Sequence, residues 1–267
     1  MTWKHWLAAA LAPLLAIPAN AQDEIFAITE PVQLDATGEI EQVGELIYAG
    51  GVAINPGEAK IGGISGLEWH EDRLYAVSDD GRWLTIQPDE IDGRLIDLLT
   101  VTVADLGDER GRRLRGKEEA DAEAITRSPD GSWLVAFERN HRIWRYEDLS
   151  GSATLPADPA FDVSNFELGD NSGIETMAVG GGSRIVCPEM LIEGGAAFCE
   201  AKIGERVHIG GVEPPAELIE HGGAPTDAAC ASDGTCYVLF RSYRPGEGNR
   251  AAIMALSADG EQRTLQH

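Results

Sequence analysis

Basic residues are scarce in this chain. Its 267 residues include 21 Lys and Arg against 45 Asp and Glu, a formal net charge of −24. A field of that sign repels phosphate backbones and anionic lipid, so binding nucleic acid or an acidic membrane by general electrostatics is excluded. The same charge suits a soluble protein and one that binds cations. Cysteines number four, all in the last third, with no CxxC spacing and no cysteine–histidine cluster. That argues against a structural zinc site and against a catalytic thiol. A P-loop, an HExxH helix, a dinucleotide fingerprint and an EF-hand loop are also missing. Gly63-Ile64-Ser65-Gly66 lacks the final glycine spacing of a G-x-S-x-G elbow, so Ser65 is a poor nucleophile.

Long apolar runs are equally few. One lies at the start, where Lys4, an apolar stretch from Trp6 to Ile17 and Ala19-Asn20-Ala21 read as an export signal over residues 1–21, cleaved after Ala21. The stretch is short for a membrane anchor, and no later segment is apolar enough to span a bilayer. A periplasmic or secreted protein without a membrane span is therefore expected. An even cysteine count in an exported chain favours disulfides. Of the three pairings, Cys187–Cys199 and Cys230–Cys236 are favoured, because each pair brackets a turn. Glycine is plentiful at 31 residues and no Pro- or Ser-rich linker divides the chain. Residues 22–267 are expected to form one all-β domain and a monomer.

Four copies of one pattern run through that domain. Each places a small or acidic residue before a short apolar strand, then a turn, a second apolar strand and a charged residue. The copies run from Ser65 to Asp79, Glu123 to Glu138, Glu175 to Glu189, and Asp227 to Arg241. Their first members lie 58, 52 and 52 residues apart, and hairpins at a period near 50 mark a β-propeller of four-stranded blades. The turns His70-Glu71-Asp72-Arg73, Pro129-Asp130-Gly131, Gly180-Gly181-Gly182 and Ser232-Asp233-Gly234 put both members of every pair at the opposite end of its hairpin. If the hairpins are the inner strands of successive blades, these eight residues ring the mouth of the central channel.

Six of the eight are acids: Asp79, Glu123, Glu138, Glu175, Glu189 and Asp227. Like charges gathered at one place disfavour ionisation, and a hard, oxygen-loving ion such as Ca²⁺ relieves the repulsion. The competing expectation is that the acids cap strand ends or pair with Arg139, Arg142 and Arg241. His141 follows Glu138-Arg139-Asn140 and is a candidate general acid or base. Residues 105–121 form a charged loop carrying Arg110, Arg112, Arg113, Arg115 and Lys117. It is either an anion clamp at the mouth or a solvated loop balanced by its own acids.

Several of these stretches occur together in order. They are Gly62-Gly63-Ile64-Ser65-Gly66-Leu67, Ser78-Asp79-Asp80-Gly81, Asp121-Ala122-Glu123-Ala124-Ile125, Phe137-Glu138-Arg139-Asn140-His141-Arg142-Ile143, Gly173-Ile174-Glu175 and Arg241-Ser242-Tyr243-Arg244-Pro245-Gly246. The set resembles the phytase-like family of exported bacterial proteins with esterase-like activity, over roughly residues 44 to 260. The resemblance implies a β-propeller, export, and hydrolysis of esters or phosphate esters. Alkaline β-propeller phytases hold phosphate through calcium ions in an acidic channel mouth, similar to the ring above. On that basis the metal ligands are Asp79, Glu123, Glu138, Glu175, Glu189 and Asp227. Glu123, Glu175, Arg139, His141 and Arg241 carry catalysis on a small anionic or ester substrate, the arginines holding the anion and His141 moving a proton. A non-catalytic propeller that binds a ligand or partner at the same mouth is the alternative. Family members usually continue into a fifth copy of the pair, which this chain does not reach. The propeller is thus expected to be incomplete at the C-terminus, to be open, or to close with fewer blades.

Overall fold

The computed structural model describes residues 22–25, 28–55, 63–170, 172–190, 197–204, 206–220 and 222–266. The expected export signal over 1–21 lies outside them. Each copy of the repeat folds as an antiparallel sheet whose strands pair in chain order. Blade 1 contains Ile64–His70, Arg73–Ser78, Arg82–Ile91 and Arg94–Asp105, with Asp23–Ile25 added at its outer edge. Blade 2 contains Ala122–Arg127, Trp133–Phe137, Arg142–Tyr146 and Ala153–Thr154. Blade 3 runs Ile174–Gly180, Ser183–Pro188, Ala197–Ile203 and Arg206–Val212; blade 4 runs Ala224–Cys230, Cys236–Arg244, Gly248–Leu256 and Gln262–Gln266. Every hairpin expected from its turn residues forms. Gly181 and Gly182, with φ of 55° and 82°, supply the paired left-handed residues that a two-residue turn needs to match strand twist.

The four sheets make a four-blade propeller arrangement. The first strands of blades 1 and 2, 2 and 3, and 3 and 4 lie side by side. Apolar residues on facing sheets fill the spaces between blades. Val77, Trp83, Trp133, Val135 and Phe137 join blades 1 and 2; Ala136, Ile143, Met177 and Val186 join blades 2 and 3; Ile185, Val238, Phe240 and Met254 join blades 3 and 4. Among the described residues no such packing joins the first strands of blades 4 and 1. The N-terminal arm instead links the outer strands of these two blades. The amide of Glu45 donates to the carbonyl of Leu265 on blade 4, and Glu45 pairs with Arg263. A few residues later, the Leu95 amide of blade 1 donates to Ala49 at 2.8 Å, and Arg94 pairs with Glu41.

Both favoured disulfides are present, Cys187–Cys199 between adjoining strands of blade 3 and Cys230–Cys236 across the first hairpin of blade 4. Cys187 and Cys199 are fully buried. Replacing both by alanine removes the cross-link and leaves a small cavity. It is expected to lower unfolding stability by about 2–4 kcal/mol, read as a shifted urea midpoint. Among the described residues no helix is long and apolar enough to cross a membrane.

Within the charged loop, Arg112 pairs with Asp108 at 2.6 Å and Arg113 with Asp105 at 3.2 Å. The loop's own acids therefore balance these two arginines. Lys117, opening the short helix Lys117–Ala120, alone of the five reaches a mouth carboxylate by an ion pair among the described residues.

Candidate acidic site at the channel mouth

Each first strand carries one extra residue at the same place. The register slips between Ile64 and Gly66, Ala122 and Ala124, Ile174 and Thr176, and Pro225 and Asp227. The bulged residues are therefore Ser65, Glu123, Glu175 and Thr226. A bulge re-aims one side chain out of the pleat while the strand continues to pair, so all four blades present the same position in the same way. Beyond it the strands are tied again. The amides of Asp79, Glu138 and Glu189 donate to the carbonyls of Gly63, Asp121 and Gly173 at 2.9, 2.8 and 3.0 Å.

This register corrects one assignment. Asp227 does not share the position of Ser65, Glu123 and Glu175; Thr226 does, and Asp227 is equivalent to Gly66, Ala124 and Thr176. The apolar pattern around Asp227 is unchanged by one extra residue, so the sequence does not mark the slip. Arg241 pairs with Ala224 and keeps its expected place at the end of the second strand.

Carboxylate oxygens of Asp121, Glu123 and Glu138 lie within 4.8 Å of one another. Asp121 is 1% exposed and occupies the position that Gly63 and Gly173 hold in the neighbouring blades. Its two oxygens accept from Lys117 Nζ at 3.0 Å and Arg139 Nε at 2.7 Å. Lys117 also reaches Asp79 at 2.8 Å, and these two carboxylates raise its pKa, Asp79 foremost. Gly63 is required here. Its φ is +59°, and a Cβ would stand 2.0 Å from an Asp79 carboxylate oxygen. Glu138 accepts from the Gly173 amide at 3.3 Å, which ties the cluster to blade 3.

Among the described residues Glu123 has no such cationic partner. Burial, then the charges of Asp121 and Glu138, push its carboxyl up to about 7, against the pull of a hydrogen bond from Ser65. Glu175 is pushed further, to about 9, by burial first and then by Glu189, with which it shares a hydrogen bond. That pair therefore holds a proton at neutral pH. Arg241 is half-exposed and lies 3.8 Å from Glu189, a loose contact that leaves most of its donors free for an anion. Deeper along the first strands, burial raises both Glu68 and Asp227 to about 7.

Two of the expected catalytic residues are placed differently. Arg139, held at φ +62°, is committed to Asp121. His141 Nε2 lies 2.9 Å from the carbonyl of Gly169, which makes it the donor and leaves Nδ1 as the basic nitrogen. His141 lines a cavity of about 440 Å³ under the loop from Leu155 to Val163, and the mouth carboxylates do not line it. Replacing Arg139 by methionine leaves buried Asp121 with one partner of two. Leaving a buried charge under-paired is costly, so the urea midpoint is expected to fall.

Asp121 was not among the expected site residues, and Lys117 was expected only as one member of the charged loop. The signal for Asp121 was available: it stands two residues before Glu123, where Gly63 and Gly173 stand before Ser65 and Glu175. Lys117 depends on how the charged loop folds under blade 1, which no local pattern specifies.

A protein-family model described as phytase-like, esterase-like activity of phytase, matches residues 59–266. The chain belongs to the phytase-like family. No curated protein matches it. Among solved structures it is similar to virginiamycin B lyase from Staphylococcus aureus, with 9% identity over 91% of this chain and 89% of that one at a TM-score of 0.40. It is also similar to the WD40 repeats of RRP9, with 12% identity over 76% of this chain at a TM-score of 0.38, and spans about half (51%) of that chain. It spans 23% of the extracellular domain of a putative hybrid two-component system, BT4673, from B. thetaiotaomicron, at 13% identity over 80% of this chain and a TM-score of 0.37. At these scores the structural likenesses carry no argument about this phytase-like chain, whose placement rests on the family match.

Proposed function

We propose that this phytase-like propeller is an exported hydrolase of ester or phosphate-ester bonds. It would work at the acidic mouth with a hard divalent cation, of which Ca²⁺ is the leading candidate. The observation that carries the proposal is the convergence of Asp121, Glu123 and Glu138 within 4.8 Å. Membership of a family described by esterase-like activity supports it, and two disulfides fit an oxidising compartment.

The donor set fits such an ion. It is all oxygen, as Ca²⁺ prefers, and Glu123 is a half-buried carboxylate that pairs with no cation among the described residues. Glu123 and Glu138 would hold the ion, with Asp121 sharing its charge between the ion, Lys117 and Arg139. When bound, the ion supplies Lewis-acid polarisation of the ester or phosphoryl oxygen.

The chain's own groups account for the proton movements. Glu123, through the carboxylate oxygen turned away from the ion, accepts a proton from the attacking water as the new O–C or O–P bond forms. Glu175 is protonated and donates to the departing oxygen as the ester bond breaks, while Glu189 orients it through their shared hydrogen bond. Two carboxyls whose pKa values are pushed apart are a usual basis for dividing acid and base roles. Arg241 holds the anionic part of the substrate by its free guanidinium edge.

The test is hydrolysis of phytate, an aryl phosphate and an aryl carboxylate ester by residues 22–267, with millimolar-range calcium and with a chelator. Calcium-dependent release of phosphate or phenol supports the proposal. No turnover of any ester by a sample with a cooperative melting transition would assign the mouth to ligand binding instead.

A further inference from the structure

The turn end of blades 1 and 2, opposite the acidic mouth, holds a separate cavity of about 370 Å³. Tyr75, Trp83 and Trp133 form its aromatic walls, and Arg73, Thr85 and Arg127 are among its polar lining. This is a concentration of ring surface in a chain whose residues are only 6% aromatic. The rings of Tyr75 and Trp133 pack against each other with centroids 4.4 Å apart, so that wall is preformed. Arg127 Cζ lies over the Trp133 ring, 4.8 Å from its centroid.

The charge at this site is out of balance. Among the described residues, Arg127 makes no ion pair and its side chain makes no hydrogen bond; the one carboxylate recorded as acting on it is Glu68, at longer range. Two acids line the same cavity but are engaged elsewhere. Glu147 pairs with Arg145 at 2.7 Å, and Asp148 accepts from the amide and hydroxyl of Ser150 at 2.8 and 2.6 Å. Arg73 has only a weak 3.7 Å contact with its exposed neighbour Asp72. A half-buried guanidinium held on an aromatic face keeps its N–H edge free for a planar oxyanion.

We propose that this cavity binds a small ring-bearing carboxylate. The carboxylate would take the free edge of Arg127 and the ring would pack against Trp83 and Tyr75. The cavity's size suits a ligand of that kind rather than a polymer. A singly charged group fits best. A dianionic phosphate would meet the same guanidinium but also the repulsion of Glu147, Asp148 and the protein's large negative charge.

The experiment follows intrinsic tryptophan fluorescence of residues 22–267 titrated with benzoate, with its neutral isostere benzamide and with inorganic phosphate. Benzoate is expected to give a saturable change, with benzamide and phosphate at least about tenfold weaker, a loss matching one charge-assisted hydrogen-bonding group. Arg127→Gln should remove the benzoate preference and leave the weak benzamide response. If that variant loses its cooperative melting transition, two other results carry the test. Arg73→Gln, at the exposed rim, should weaken benzoate more than benzamide, and salt should weaken the wild-type benzoate response but not that of benzamide. Equal binding of benzoate and benzamide, an unchanged benzoate affinity in folded Arg127→Gln, or no saturable response from wild type would overturn the proposal. None of these readouts involves ester turnover, so they stand apart from the test of the mouth.

Discussion

Glu123→Gln combined with Glu175→Gln is expected to lower ester turnover by at least about 10³-fold, since one acid or base group alone contributes about 10²–10⁴. The same variant should melt several degrees above wild type at pH 8 in a chelator. Loss of function with gain of stability follows from the geometry. Glutamine keeps the shape of each side chain but can neither exchange a proton nor carry charge. Glu123 is half-buried beside Asp121 and Glu138, and Glu175 beside Glu189, so ionising either in the folded protein is opposed. Each unit of upward pKa displacement amounts to about 1.4 kcal/mol, and about 1 kcal/mol moves the melting temperature of a chain this size by about 2–4 °C. Steady-state kinetics and calorimetric melting check both halves. A double variant that turns over substrate normally contradicts the assignment of the acid and base. One that melts lower shows that the carboxyls support the fold rather than strain it.

The second large effect is the dependence of stability on pH. Glu68, Glu123 and Asp227 sit near 7 and Glu175 near 9, all raised from ordinary values of 4.5 for Glu and 3.8 for Asp. Between the unfolded and folded values the native protein binds more protons than the unfolded chain, so stability must fall as pH rises through that window. The cost begins near pH 4, grows through pH 7 and is complete only above pH 9. Without added cation the melting temperature should therefore fall steadily between pH 5 and pH 9. Millimolar calcium should recover much of that loss at the alkaline end, because a ligand that binds only the native state stabilises it by mass action. Buffers of fixed ionic strength separate this from general screening of the net charge. A flat profile in chelator would mean that water or structural rearrangement already satisfies the carboxyls.

The blades were legible in the sequence because their turns are. Asp130-Gly131, Gly181-Gly182 and Asp233-Gly234 punctuate the chain, and the alternation between them places Glu123 with Glu138 and Glu175 with Glu189 at one end of each hairpin. The cysteine pairs were legible for the same reason, each spanning a short connection. The bulges were not, because an extra residue leaves the apolar pattern almost intact. That is why Asp227 looked equivalent to Glu175 when Thr226 is. Asp121 and Lys117 were hidden differently. Asp121 becomes a site residue by standing where blades 1 and 3 carry glycine and bring only backbone, and Lys117 by the fold of a loop whose charges mostly cancel. The clasp of Glu45 on Arg263 and Leu265 joins residues more than 200 positions apart, and no local pattern marks it.

Calorimetric titration of calcium into residues 22–267 at pH 8, for wild type and for Glu123→Gln with Glu138→Gln, tests the mouth most directly. Wild type is expected to bind with release of protons, as carboxyls held partly protonated give way to the ion, and the double variant is expected to bind at least about 100-fold more weakly. Equal affinity in the two proteins, or no binding by wild type, would contradict a cation centre built from these bulged strands.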